Sequence, residues 1–200
     1  MSYFPFVADE NEVPRLQAIK DSFGFVPNFY RAQTMRPDLI DAEAQLVNAI
    51  LVKEGALTRR QKEYIFLVCS AANLSTYCLT AHCEMVRMMG IEGPEPEQIA
   101  LDHTAAKIPV PLKALLNFAA KLNGQPAKIT KRDVDVLHTY GYTDQQIMEA
   151  VLTVGLAKFA NFVAFGLGTA PDFEPSGKIL EVTQAAVRRL SQVRPRASSA

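Results

Sequence analysis

Apolar residues recur every three or four positions through most of this chain. Nowhere do they alternate with period two between turn signals, as a half-buried strand would require. Pro14 opens a helix over residues 15–23 that Gly24 stops, and Pro27 opens a short one over 28–33. Pro37 and Asp38 begin a longer helix reaching about residue 53, with Leu39, Ile40, Ala44, Val47, Ile50 and Leu51 along one side. Thr58 caps a helix over 59–72 whose centre, Tyr64 to Cys69, is apolar all round and is therefore expected to be buried. After a break at Asn73 or Ser75, a further helix runs to Met89 and closes at Gly90. Met85, Met88 and Met89 on it suit gap-filling in a core or a subunit contact.

Helices then follow over 97–103, 112–122, 133–140 and 144–165, the last capped by Thr143 and ended by Gly166 and Gly168. An amphipathic piece over 177–193 leads into the polar end RPRASSA. The pattern gives an all-α fold, a single helical domain over 1–190, and a tail over 191–200 expected to be disordered. The stretches LTRRQKEYI and ITKRDVDVL echo each other, either as two hairpins of common design or through a shared capping pattern.

Charge narrows the partners. With 21 basic and 21 acidic residues the net charge is zero, which gives no general attraction to nucleic acid or to an anionic membrane. No apolar run is expected to reach the roughly 20 residues of a membrane span. The start, MSYFPFVADENE, lacks the basic and apolar regions of a signal peptide, so the cytoplasm is the expected compartment. No glycine pattern for a dinucleotide or phosphate is present, and no nucleotide or other cofactor is expected.

Chemistry concentrates in NLSTYCLTAHCE. Three cysteines, Cys69, Cys78 and Cys83, fall within a short span, an odd count that argues against a disulfide framework. At about 100° per residue, Cys69 and Cys78 take opposite helix faces, and Cys83 stands about 140° from Cys78. Cys78 and His82 share a face one turn apart. A free thiol is only about 3% thiolate at neutral pH, so attack on an electrophile needs a base, a cation or a helix N-terminus. His82 offers the base, a start near Ser75 puts Cys78 in the first turn, and Glu63 on the preceding helix can orient the imidazole. Core packing explains the same pair without chemistry. A zinc site is poorly supplied, since His103 and His138 carry no ligand spacing, and no metal is expected.

The stretch EYIFLVCSAANLSTYCLTAH, residues 63–82, resembles the signature helices of the alkylhydroperoxidase D-like, carboxymuconolactone decarboxylase superfamily. Glu63, Cys78 and His82 match the signature's glutamate, second cysteine and histidine, and Tyr77 takes the aromatic place before that cysteine. FGFVPNFYRAQTMRPDL and GYTDQQIMEAVLTVGLAKFANFVAFGLGTAPD extend the resemblance to the peroxidase-related subgroup, over roughly residues 3–173. It implies an oligomeric helical bundle and thiol-dependent reduction of a hydroperoxide, with Cys78 attacking the peroxide while His82 and Glu63 relay its proton. The expected partners are a small-molecule hydroperoxide, a thiol reductant and further copies of the chain.

One position departs from the signature. Where redox members carry the resolving cysteine, this chain has Ser75, which can neither resolve a sulfenic acid nor enter thiol–disulfide exchange. Ser75 is expected instead to donate a hydrogen bond to the Cys78 thiolate or sulfenate. Three readings stay open: a one-cysteine peroxidase resolved by an external thiol, an acid–base lyase of the carboxymuconolactone decarboxylase type, and a homologue kept for binding or assembly.

Overall fold

The computed structural model describes residues 2–4, 13–90 and 92–180. Among these it holds nine α-helices and no strand. They are α1 (Pro14–Phe23), α2 (Asn28–Arg31), α3 (Pro37–Val47), α4 (Arg59–Ala72), α5 (Thr76–Met88), α6 (Pro96–Asp102), α7 (Val110–Gly124), α8 (Lys131–Thr139) and α9 (Asp144–Leu167). Residues 177–180 begin the expected terminal helix. The rest of that helix and the tail over 191–200 lie outside the described residues.

α4 is the axis of the bundle, because every residue from Lys62 to Ser70 is buried and the helix packs against α5, α6, α7 and α9. An all-round apolar helix has no solvent face to offer, so the others must wrap it. Lys62, fully buried, sends its ammonium to the Lys53 carbonyl at 3.0 Å and to Glu149 at 3.6 Å. Glu149 in turn accepts the N–H groups of Ala56 and Leu57, which fixes the loop entering α4 from the side of α9.

The echo between LTRRQKEYI and ITKRDVDVL is a shared cap. Gln61 returns its side chain to the Thr58 N–H at 2.9 Å, and Asp133 does the same to Thr130 at 2.8 Å. Thr143 and Gln146 repeat the box at the start of α9.

One detail departs from the expectations, and a second adds to them. The helix foreseen to residue 53 ends its regular winding at Val47 and continues as a single π turn, Asn48–Val52. Such a turn inserts an extra residue into the helical circuit. Here Val47, Leu51 and Val52 line the cavity described below. The break between α4 and α5 is a Schellman motif, with Ser75 N bonded to Ser70 O and Leu74 N to Ala71 O. Its left-handed position, usually glycine, is Leu74 at φ 61°. That conformation costs about 1–2 kcal/mol in an L-residue, and it turns the chain straight into Ser75, the N-cap of α5.

α9 corrects the expectation about membrane-length runs. Its 24 residues reach the length and hydropathy of a span by composition alone. It nevertheless packs on α4, α5 and α7, with Thr153 and Asn161 fully buried, so it serves as a core helix. One stripe of it faces outward: Met148, Val151, Leu152, Phe159, Phe162 and Phe165 are exposed at three- and four-residue spacing.

Candidate active site

The signature residues meet at the α4–α5 pair. Cys78 is the third residue of α5, in the first turn as expected, and is 2% exposed. Burial pushes its thiol up to about 11, opposed by hydrogen bonds from Ser75 and Asn161. Desolvation therefore works against the helix N-terminus, which by itself would favour the thiolate. The Ser75 hydroxyl makes no cap bond on its own helix, and it is one of the two groups that oppose the rise at Cys78.

His82 lies one turn along α5. Its Nδ1 stands 2.6 Å from Glu63 Oε2, and its ring stacks on Phe66 with centroids 3.9 Å apart. Glu63, with no exposure at all, also accepts Arg59 Nε on its other oxygen at 2.6 Å. Burial alone would raise the Glu63 carboxyl, but His82 and Arg59 outweigh it and hold it below its ordinary value. An ionised glutamate accepts the Nδ1 proton and leaves Nε2 as the imidazole's basic atom.

A cavity of about 120 Å³ opens where these groups converge. Its walls are apolar and aromatic, among them Phe25, Phe29, Phe66, Tyr77 and Phe173, and both Cys78 and His82 line it. Arg59 and Asp172 bring the charged groups. Tyr77 donates to Asp172 Oδ2 at 2.7 Å and accepts the Phe29 N–H at 3.1 Å, while Asp172 Oδ1 accepts the Asn28 N–H at 2.9 Å. The segment after α9 is thereby fastened across the start of α2. Burial, and then Asp172, raise the Tyr77 phenol, which stays protonated.

The structure thus brings Cys78, His82, Glu63, Ser75 and Tyr77 to one site, and no hydrogen bond joins Cys78 to His82 directly among the described residues. Cys69 and Cys83 are free, buried and outside this lining. Both thiols are pushed up to about 12, chiefly by burial. Cys83, beside Glu97 and Arg87 and only 1% exposed, is shut away from both the site and the surface. Among the described residues no three His, Cys, Asp or Glu side chains form a metal cluster. Four residues escaped the sequence reading: Arg59, Phe66, Asn161 and Asp172. Arg59 was legible as the residue one helical turn before Glu63, and Asn161 as the polar interruption in an apolar helix. Nothing in the sequence flagged Phe66 or Asp172.

The site combines a thiol, a carboxylate-held imidazole and an apolar cavity within an all-helical bundle. No protein-family model and no curated protein matches the chain, but solved structures do. A peroxidase-related protein from Ralstonia eutropha JMP134, described as an alkylhydroperoxidase AhpD core, is similar at 26% identity and TM-score 0.78, over 92% of this chain and 96% of that one. A peroxidase-related protein from Silicibacter sp. TM1040 is similar at 24% identity and TM-score 0.79, over 88% and 94%. The debrominase Bmp8, complexed with 2,3,4-tribromopyrrole, shares the fold at 18% identity and TM-score 0.72, over 92% and 99%. The chain thus shares the fold of an alkylhydroperoxidase AhpD core and of peroxidase-related proteins.

Proposed function

We propose that the protein is a one-cysteine, thiol-dependent hydroperoxide reductase. The observation that carries this reading is the exposure of Cys78 and His82 to a single apolar cavity, with His82 aimed by Glu63. His82 takes the Cys78 proton as the thiolate attacks the distal oxygen of the hydroperoxide. The S–O bond forms, the O–O bond breaks, and the departing alkoxide leaves as the alcohol with the proton from His82. Cys78 becomes a sulfenic acid. Ser75 offers no second sulfur, so an external thiol condenses with it, releasing water, and a second thiol restores Cys78 and carries away the disulfide. Three free cysteines suit a reducing compartment, the cytoplasm.

The acid–base alternative has one observation in its favour: Arg59, Glu63 and His82 form a complete unit without the sulfur. Hydroperoxide consumption with added dithiol, measured in Cys78→Ala and His82→Ala, separates the readings. A peroxidase loses activity in Cys78→Ala, whereas an acid–base lyase of the decarboxylase type keeps its lyase activity in Cys78→Ala and loses it in His82→Ala. A protein kept for binding consumes no peroxide at all and retains its ligand affinity in both variants.

A further inference from the structure

Besides His82, two charged side chains stand in the wall of the cavity, Asp172 and Arg59. Asp172 is committed on both oxygens, one accepting the Asn28 N–H at 2.9 Å and the other the Tyr77 hydroxyl at 2.7 Å. Arg59 is committed on one edge only. Its Nε donates to Glu63 Oε1 at 2.6 Å, and its Nη2 goes to the same oxygen. The second oxygen of Glu63 is kept for His82 Nδ1.

A guanidinium carries five N–H donors in a planar fork. Nε and Nη2 form the edge that Glu63 occupies. The end of the fork, Nη1 with the second hydrogen of Nη2, meets no hydrogen-bond partner among the described residues. The Arg59 side chain is 21% exposed, so these donors are partly shielded without being sealed in protein. That end of the fork matches a carboxylate, with two parallel N–H···O bonds.

The layout of the cavity says what lies between this cation and the sulfur. Cys78, Ala81, His82 and Met85 line it from one face of α5, a length of about 10 Å at 1.5 Å per residue. Arg60 reaches the Met89 carbonyl and Glu63 meets His82, so the start of α4 lies beside the end of α5. Arg59 therefore enters the wall beyond His82 as seen from Cys78. Phe29, Phe66, Val52 and Met85 supply apolar surface along the way. A carboxylate drawn into such a cavity needs a cation there to offset its desolvation. A ligand without an acid leaves the free donors of Arg59 unused.

We infer that the cavity takes a carboxylic acid with an apolar body, and that Arg59 is the specificity-determining residue that selects it. The free end of the guanidinium holds the carboxylate, and the body lies along α5 towards Cys78. That the far end of this acid carries a hydroperoxide rests on the function proposed above; recognition of the acid does not.

The test uses two probes without a peroxide, octanoate and its neutral counterpart octanamide, titrated calorimetrically into the full-length protein near neutral pH. Wild type should bind the acid about tenfold or more tightly than the amide, the effect of a charged hydrogen-bonded pair. Arg59→Gln should bring the ratio of the two affinities to about one. Arg59→Lys, which keeps the charge without the fork, should retain part of the preference. The ratio is the readout because a merely distorted cavity weakens both probes alike. If Arg59→Gln fails to fold, the fall in the ratio from wild type to Arg59→Lys decides. Equal binding of acid and amide by wild type, binding of neither, or a ratio unchanged in every Arg59 variant that folds would overturn the inference. Absence of peroxide turnover would sink the proposed function and leave this comparison standing, and equal binding of the two probes would leave peroxide reduction untouched.

Discussion

Glu63 Oε2 stands 2.6 Å from His82 Nδ1, so a carboxylate with no exposure on α4 fixes the imidazole of α5. The pair joins the two helices as well as the chemistry. Glu63 is held below its ordinary value against the opposing effect of burial, so its charge stabilises the fold above the usual glutamate pKa of about 4.3. That stability is lost as pH falls through the lower folded value. Circular dichroism of acid titrations should show Glu63→Gln losing less stability than wild type below about pH 4. At neutral pH the variant should be less stable by about 3–5 kcal/mol, the cost of breaking a buried pair, and should lose hydroperoxide reduction.

Glu43 behaves in the opposite sense. Burial pushes its carboxyl up to about 7, only partly offset by Gln33 at 2.8 Å, and its Oε1 has no hydrogen-bond partner among the described residues. A raised carboxyl pKa means that the charged form destabilises the fold, by an amount that grows from about pH 4.3 up through 7 and is full above it. Thermal melts should show Glu43→Gln matching wild type under acid conditions and exceeding it above pH 7. The gain should be a few degrees, at about 2–4 °C per kcal/mol for a chain of this size.

Tyr77→Phe removes the phenol that binds Asp172 and the Phe29 N–H together. The unpaired partners cost about 1–3 kcal/mol, and the segment carrying Asp172 and Phe173 is loosened from the cavity it lines. Cys78 should then be alkylated severalfold faster than in wild type, measured by mass spectrometry. An unchanged rate would show that this fastening does not control access.

The outward stripe of α9 is the surface expected to hold copies of the chain together. Phe162, 62% exposed, lies within it. Mass photometry should find wild type as an oligomer and Phe162→Glu shifted towards monomer, because a charge in an apolar interface is expensive to bury. A wild type that is already monomeric would remove this role from the stripe.

The helices were legible because their signals are local. Pro14, Thr58, Thr143 and Gly168 stand where elements begin or end, and the apolar run Tyr64 to Cys69 announced the helix that became the axis. Likewise the four-residue step from Cys78 to His82 and the glutamate on the preceding helix suffice to place three functional groups near one another, once α4 and α5 pack. The π turn was not legible, since its residues carry ordinary helix formers. Nor was the Schellman turn, because Leu74 occupies the position where glycine is the usual signal.

The sequence by itself determined that the chain is helical, that Ser75 rather than a cysteine stands three residues before Cys78, and that His82 shares the face of Cys78. Only the tertiary structure decided the state of the sulfur. Burial pushes its thiol up to about 11, opposed by Ser75 and by Asn161 from the distant α9. Desolvation and orientation arise from elements distant in the chain, so no local pattern could have encoded them.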